Sequence, residues 1–137
     1  MSQRIIYADS SALVKLIVEE VGTAALEREL ADEPTLVSSA LARVEVTRAV
    51  RVQTRGDAAA EGAAARLLGS CRLVPVVDEI LESASALVTY ELRTLYAIHL
   101  ASALLVAPDA VVTYDRRLAE SAGAARLRIL TPGGRGV

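Results

Sequence analysis

Tryptophan and phenylalanine are absent from this 137-residue chain, and its only aromatic rings beyond the histidine are four tyrosines. Recognition of single-stranded nucleic acid by stacking bases on aromatic platforms is disfavoured by that shortage. There is one cysteine, Cys71, so no disulfide can form within the chain and a cysteine-based zinc site is not credible. Cys71 precedes an apolar, strand-like run and reads as a buried, inert thiol rather than a nucleophile. The single histidine, His99, has no second histidine or cysteine nearby and is a poor zinc signal. It reads as a satisfied core histidine, or one that supports a neighbouring side chain. Excess positive charge is also missing. The net charge is −2, which does not suggest a globally basic nucleic-acid binder, although an acidic metal site can sit beside local basic patches. Lys15 is the only lysine, a bias that reads as genome composition. No apolar run reaches the roughly 20 residues that a membrane-spanning helix needs. The longest, Leu95 to Ala107, contains His99 and Ser102. Asp9 and Lys15 interrupt the N-terminal apolar stretch, so a secretory layout is lacking. A cytoplasmic protein with no membrane association is expected.

What the chain does have is apolar content, 53 %, ample for one domain with a substantial core. Short apolar runs alternate with alanine-rich segments of helical character. Strands are expected at 4–8, 35–38, 72–76, 109–114 and 126–130. Helices are expected at 11–20, 22–32, 40–54, 57–70, 78–90, 94–107 and 116–123. Repeated strand–helix alternation argues for an α/β domain with a central, mostly parallel sheet of four to five strands sandwiched by helices. The domain is expected to cover 1–131, with 132–137 as a flexible C-terminal tail.

The segment Ile5-Ile6-Tyr7-Ala8-Asp9-Ser10-Ser11-Ala12-Leu13 carries the most information. It delivers a carboxylate at the carboxyl end of a strand and turns straight into a helix. In open α/β sheets ligands bind along that rim. Asp9 equally suits a helix cap. Val111-Val112-Thr113-Tyr114-Asp115 repeats the pattern, with Arg116 opening the next helix. Parallel strands would bring Asp9 and Asp115 to one rim, where two carboxylates repel unless a cation lies between them. Hard cations such as Mg²⁺ take carboxylate oxygens. Glu45, flanked by Val44 and Val46 on the third expected helix, either pairs with Arg48 one turn on or aims at that cation. Arg48, Arg51 and Arg55 form a basic stripe, either a solvated face or a phosphate contact. Two other chemistries are disfavoured. Phosphotransfer through Asp9 would want a second aspartate two residues on and a later strand-end lysine. A nucleotide fold would want a glycine-rich loop after the first strand.

Taken together, Tyr7 through Leu16, Ser39 through Glu45 with Ala49, Leu92 through Leu104, and Thr113-Tyr114-Asp115-Arg116-Arg117-Leu118 resemble the PIN-domain family, specifically the VapC-type toxins of bacterial toxin–antitoxin pairs. The resemblance runs from residue 5 to about residue 130. It implies an endoribonuclease in which acidic residues bind Mg²⁺ or Mn²⁺ and bound water cuts an RNA phosphodiester. Carried over by position, Asp9, Glu45 and Asp115 are the metal ligands and catalytic residues. Thr113, Ser10 and Ser11 are supporting groups. The implied partners are a VapB-type antitoxin, an RNA substrate such as tRNA or rRNA, and a second copy of the chain in a homodimer.

One position departs from the family. Tyr96 stands where the resemblance implies a further acidic ligand, in a stretch that would read Leu-Arg-Thr-Leu-Asp-Ala-Ile-His. A phenol is neutral at pH 7 and a poor Mg²⁺ ligand. Weaker metal binding and impaired turnover are therefore expected. The alternative is an inactive scaffold that only binds its antitoxin. Tyr96 reflects either natural degeneration or a substitution that lets a toxic gene be carried. A single-base change joins the Asp and Tyr codons, and the rest of the motif is intact, which favours the second.

Overall fold

Alternation along two central strands decides the layering of this molecule. In the computed structural model, which describes residues 3–87 and 92–134, strand β1 (Ile5–Ala8) turns Ile6 and Ala8 to one face and Tyr7 to the other. Its neighbour β4 (Ala110–Val112) does the same with Ala110 and Val112 against Val111. Both strands are apolar on both faces, as strands covered on both sides must be. The other strands are β2 (Thr35–Ser39), β3 (Arg72–Val74) and β5 (Ile129–Leu130). All pairings are parallel, in the order β3-β2-β1-β4-β5. The expected α/β class with a parallel, five-stranded sheet is borne out.

Helices cover the two faces. On one lie α1 (Ser10–Lys15), α2 (Thr23–Glu29), α3 (Ala42–Thr54) and α4 (Ala58–Ser70), which bury Leu13, Leu26, Val46, Val50 and Leu68 with Ile6 and Val112. On the other lie α5 (Asp78–Ser85), α6 (Thr94–Val106) and α7 (Arg116–Ala124). Tyr7 and Val111 pack on Ala103 of α6, while Ile98 meets Ile80 of α5 and Leu100 meets Leu118 of α7. Helix α6 is apolar almost all round because it contacts the sheet and both neighbouring helices. Among the described residues no helix is long and apolar enough to cross a membrane.

Several boundaries differ from expectation for identifiable reasons. The helix expected over 11–20 stops at Lys15. The Thr23 hydroxyl takes the Lys15 carbonyl at 3.0 Å and accepts the Glu20 amide at 2.9 Å, closing the end that further helix would have used. Lys15, nearly buried, then ties the loop by donating from Nζ to the Val21 carbonyl at 2.7 Å. Strand β3 ends before Pro75, which has no amide to offer the ladder. The expected helix 78–90 ends at Ser85, and its last three residues lie outside the described ones. Of the segment read as a tail, Pro132 accepts a hydrogen bond from the Tyr114 hydroxyl at 2.7 Å. Gly133 sits so close to Gly22 that an added Cβ would lie 2.8 Å from the Gly22 Cα. Both glycines have positive φ, so neither position suits another residue. Residues 135–137 of that tail lie outside the described residues.

The strand order places one feature directly. The chain winds outward from β1 through β2 to β3, then returns to the other side of β1 for β4 and β5. The direction of winding reverses between β1 and β4, and at that point the carboxyl ends of adjacent parallel strands leave a crevice between diverging loops.

Candidate active site

Both strand-end carboxylates stand at this crevice. Asp9 follows β1 and caps α1, and Asp115 follows the β4 end and caps α7. The capping expectation and the site expectation are thus compatible, because capping occupies only part of each carboxylate. Asp9 Oδ1 accepts from the Ala12 amide at 3.1 Å and the Ser11 hydroxyl at 2.6 Å. Its Oδ2 accepts from the Thr113 hydroxyl at 2.6 Å. Asp115 Oδ1 accepts from the Leu118 amide at 2.9 Å.

Thr113 links the two joints. Its hydroxyl donates to Asp9 and accepts from the Asp115 amide at 3.0 Å. Ser11 reinforces the link, donating to Asp9 and accepting from the Tyr114 amide at 3.0 Å. Asp9 is 2 % exposed, and burial pushes its carboxyl above the usual carboxylate value, opposed by His99 and by its own hydrogen bonds. A buried carboxylate held by neutral donors is a group that a nearby cation would stabilise.

Glu45 comes from the first turn of α3, beside β2. Of the two partners expected for it, Arg48 is not the one. Its Oε1 accepts from the Ser10 hydroxyl at 2.7 Å and lies 2.7 Å from His99 Nε2. Burial raises this carboxyl, but the hydrogen bonds from His99 and Ser10 outweigh it, and the net result lies below the usual value. Sequence reasoning placed His99 in the core or in support of a neighbour, and its 1 % exposure and contact with Glu45 fit both. Tyr7 was not singled out. Its hydroxyl meets His99 Nδ1 at 2.7 Å. The available signal was a tyrosine in a fully buried strand, since a buried phenol needs a hydrogen-bonding partner.

Asp9, Glu45, Asp115, His99 and Tyr96 line one cavity of about 200 Å³. Tyr96, near the start of α6, is half-buried. Its phenol is pushed upward by burial and by the neighbouring Asp115 carboxylate, so it stays protonated at neutral pH. Ser10, Ser11 and Tyr114 complete the wall and also line a second depression of about 390 Å³ that reaches Lys15 and Gln53. The basic stripe lies apart from this cavity's lining. Arg51 pairs with Glu61 at 2.7 Å, and Arg48, Arg51 and Arg55 are exposed. Cys71 is half-buried, and burial raises its thiol, consistent with an inert side chain.

The donor set suits a hard divalent cation in kind: carboxylates and hydroxyls, with no thiolate. Among the described residues, Oε2 of Glu45 accepts no hydrogen bond, and the side chain of Asp115 takes one backbone amide on Oδ1 with the Tyr96 phenol beside it. As the side chains stand, no three histidine, cysteine or carboxylate groups among the described residues are close enough to close around one ion. Position 96 brings a neutral phenol, not a carboxylate, to the cavity.

Residues 6–124 match the model of the PIN domain family. The chain is 42 % identical over 129 residues to Ribonuclease VapC46 of Mycobacterium tuberculosis, covering 93 % of this chain and 97 % of that one. It is 43 % identical over 136 residues to Ribonuclease VapC35 of the same organism, with the same coverage. Among solved structures it resembles Mycobacterium tuberculosis VapC20, described as a sarcin-ricin loop cleaving toxin, with a TM-score of 0.73 at 20 % identity over 93 % of this chain and 99 % of that one. It also resembles VapBC2 from Rickettsia felis bound to a promoter DNA fragment, with a TM-score of 0.69 at 12 % identity over 92 % of this chain and 97 % of that one. At those identities the structural likenesses speak to the fold.

Proposed function

This chain belongs to the PIN-domain family, and on that premise we propose that it is the ribonuclease toxin of a toxin–antitoxin pair, with Asp9, Glu45 and Asp115 as the acidic residues of its metal site. The observation that carries the reading is the convergence of these three side chains on one cavity at the point where the sheet reverses its winding. The bound ion would be Mg²⁺ or Mn²⁺. When present it lowers the pKa of coordinated water and offsets charge growing on the phosphate.

The chain's own groups have distinct tasks. Thr113 and Ser11 hold Asp9 rigid through two short hydrogen bonds, so one ligand is already in place. Ser10 and His99 hold one oxygen of Glu45 and leave the other for the cavity. Asp115 is half-buried and tied by a single cap bond, so it can adjust to an arriving ion. Tyr96 places a neutral phenol where a fourth carboxylate would add charge, and it lowers activity by weakening ion binding. The RNA substrate, tRNA or rRNA by family habit, would reach the ion through the same opening. The antitoxin would block it, a homodimer is the expected assembly, and the cytoplasm is the place of action.

A second reading has Tyr96 in its favour: a scaffold that binds its antitoxin and no longer cuts. The deciding experiment compares RNA cleavage in Mn²⁺ by this chain, by Tyr96→Asp, and by Tyr96→Asp combined with Asp9→Ala. The expected result is weak cleavage by the parent, a gain on the order of 10–100-fold in Tyr96→Asp from restored metal affinity, and none in the double variant. If Tyr96→Asp stays inert on varied RNAs with metal present, the nuclease reading fails and the scaffold stands.

A further inference from the structure

The cavity wall contains a buried chain of polar groups that reaches the site from behind. Tyr7, on β1, has no exposed surface and lines none of the cavities that hold the acidic residues. Its hydroxyl lies 2.7 Å from His99 Nδ1, and His99 Nε2 lies 2.7 Å from Glu45 Oε1. The two rings meet edge to face, at 81° and a centroid distance of 5.9 Å. This fixes the imidazole plane as well as its ends.

Proton bookkeeping gives the chain a direction. The Glu45 carboxylate can only accept, and Ser10 already donates to the same oxygen. His99 Nε2 therefore carries a hydrogen. With a single ring hydrogen on Nε2, Nδ1 accepts from the phenol of Tyr7 at 2.7 Å. Burial raises that phenol well above its ordinary range and keeps its proton in place.

We propose that His99 and Tyr7 are positioning residues for Glu45: Tyr7 holds the His99 ring at Nδ1, and His99 with Ser10 anchors Oε1 so that Oε2 alone is presented to a divalent cation. The role rests on the reading of Glu45 as a metal ligand. It explains why an otherwise apolar helix carries a histidine at this point, and why a fully buried strand position holds a tyrosine rather than an aliphatic residue. Removing Tyr7's hydroxyl takes the partner from Nδ1 and loosens the ring behind Glu45.

His99 is the only histidine, so in tag-free protein the imidazole ¹⁵N resonances belong to one residue. The expected spectrum has a proton on Nε2, against Glu45, and Tyr7→Phe shifts the Nδ1 resonance as that nitrogen loses its partner. A parent spectrum with no proton on Nε2 overturns the proposal without any variant having to fold. Mn²⁺ affinity is then measured by calorimetry on this chain and on Tyr96→Asp, each alone and with Glu45→Gln, His99→Leu, His99→Gln or Tyr7→Phe. Loss of the brace should weaken binding roughly 10–100-fold in His99→Leu and about tenfold in Tyr7→Phe, the range seen when groups behind a metal ligand are removed. His99→Gln, which keeps a donor, should recover part of the loss. If neither chain binds Mn²⁺, or Glu45→Gln leaves binding intact, the ligand reading falls and the brace falls with it. If Glu45→Gln weakens binding while His99→Leu and Tyr7→Phe do not, the brace alone is wrong.

Discussion

The two strand-to-helix joints flanking the crevice share a form and differ in load. Each ends in an aspartate whose Oδ1 caps the next helix. Asp9 is almost wholly buried, receives three hydrogen bonds and has a carboxyl that burial pushes upward. Asp115 is half-buried, and among the described residues one backbone amide bonds its side chain, with the Tyr96 phenol beside it. The first joint lies over the central strand with α1 packed on it, and the second lies nearer the sheet edge. One carboxylate is therefore tightly held and costly to bury as an ion, while the other is held by fewer bonds and is more exposed. That pairing suits an ion site. On the proposed function, the rigid carboxylate would fix the position of an ion and the less restrained one would adjust to it.

The largest expected effect tests whether this difference is functional or only positional. In a Tyr96→Asp protein, Asp9→Asn and Asp115→Asn should each cut RNA cleavage by roughly a thousandfold, the rate equivalent of several kcal/mol of charge stabilisation at the ion. Their thermal stabilities should diverge. Asp9→Asn relieves a buried charge and should raise stability by about 1 kcal/mol, or roughly 2–8 °C in a domain of this size. Asp115→Asn should leave the melting temperature nearly unchanged, because asparagine caps as well as aspartate. Equal loss of stability in both variants would erase the distinction between the joints.

Acidity offers an intermediate effect with opposite signs at Asp9 and Glu45. The Asp9 carboxyl lies above its ordinary value of 3.8 in the folded chain. The stability it contributes is fully present below that value and is lost as pH rises through the raised folded value. Glu45 lies below its ordinary 4.5, so its contribution is present above that value and is lost as pH falls through the lowered one. In urea titrations, the advantage of Asp9→Asn over the parent should grow as pH rises above about 4 and level off once Asp9 is ionised. The disadvantage of Glu45→Gln should shrink as pH falls below about 4. Millimolar Mn²⁺ should reduce the Asp9 effect by supplying the missing positive charge. An Asp9→Asn advantage that is flat with pH would show that its carboxyl is not strained.

Which parts were legible in the sequence follows from the range of each interaction. Both capping aspartates and the strands before them are written in consecutive residues, so the joints, the parallel sheet and the convergence of Asp9 with Asp115 could be read directly. The sequence puts Glu45 near the site but does not distinguish Arg48 from a cation as its partner. Helical spacing makes Arg48 a plausible neighbour, whereas the actual partner, His99, lies 54 residues away on a helix packed against the other face of the sheet. Tyr7 was read only as strand, since its hydroxyl finds His99 92 residues later. The end of α1 was overextended because a single hydroxyl, Thr23, captures the Lys15 carbonyl, and helix periodicity carries no trace of that.

The smallest expected effect separates the two tasks of Asp115. Asp57 caps α4 through the Ala60 amide at 2.9 Å, the same bond that Asp115 makes to Leu118, and it is exposed and outside the cavity. Asp57→Ala and Asp115→Ala should therefore each cost about 1 kcal/mol in metal-free protein, the ordinary value of a lost cap. Mn²⁺ should then stabilise Asp57→Ala as much as the parent and Asp115→Ala less, because on the proposed function only Asp115 would lend its second oxygen to the ion. Asp115→Asn completes the comparison. It keeps the cap and removes the charge, so it should match the parent without metal and resemble Asp115→Ala in the size of its Mn²⁺ response. If all four proteins gain equally from Mn²⁺, the second joint is a helix cap and nothing more, and the ion is held by Asp9 and Glu45 without it.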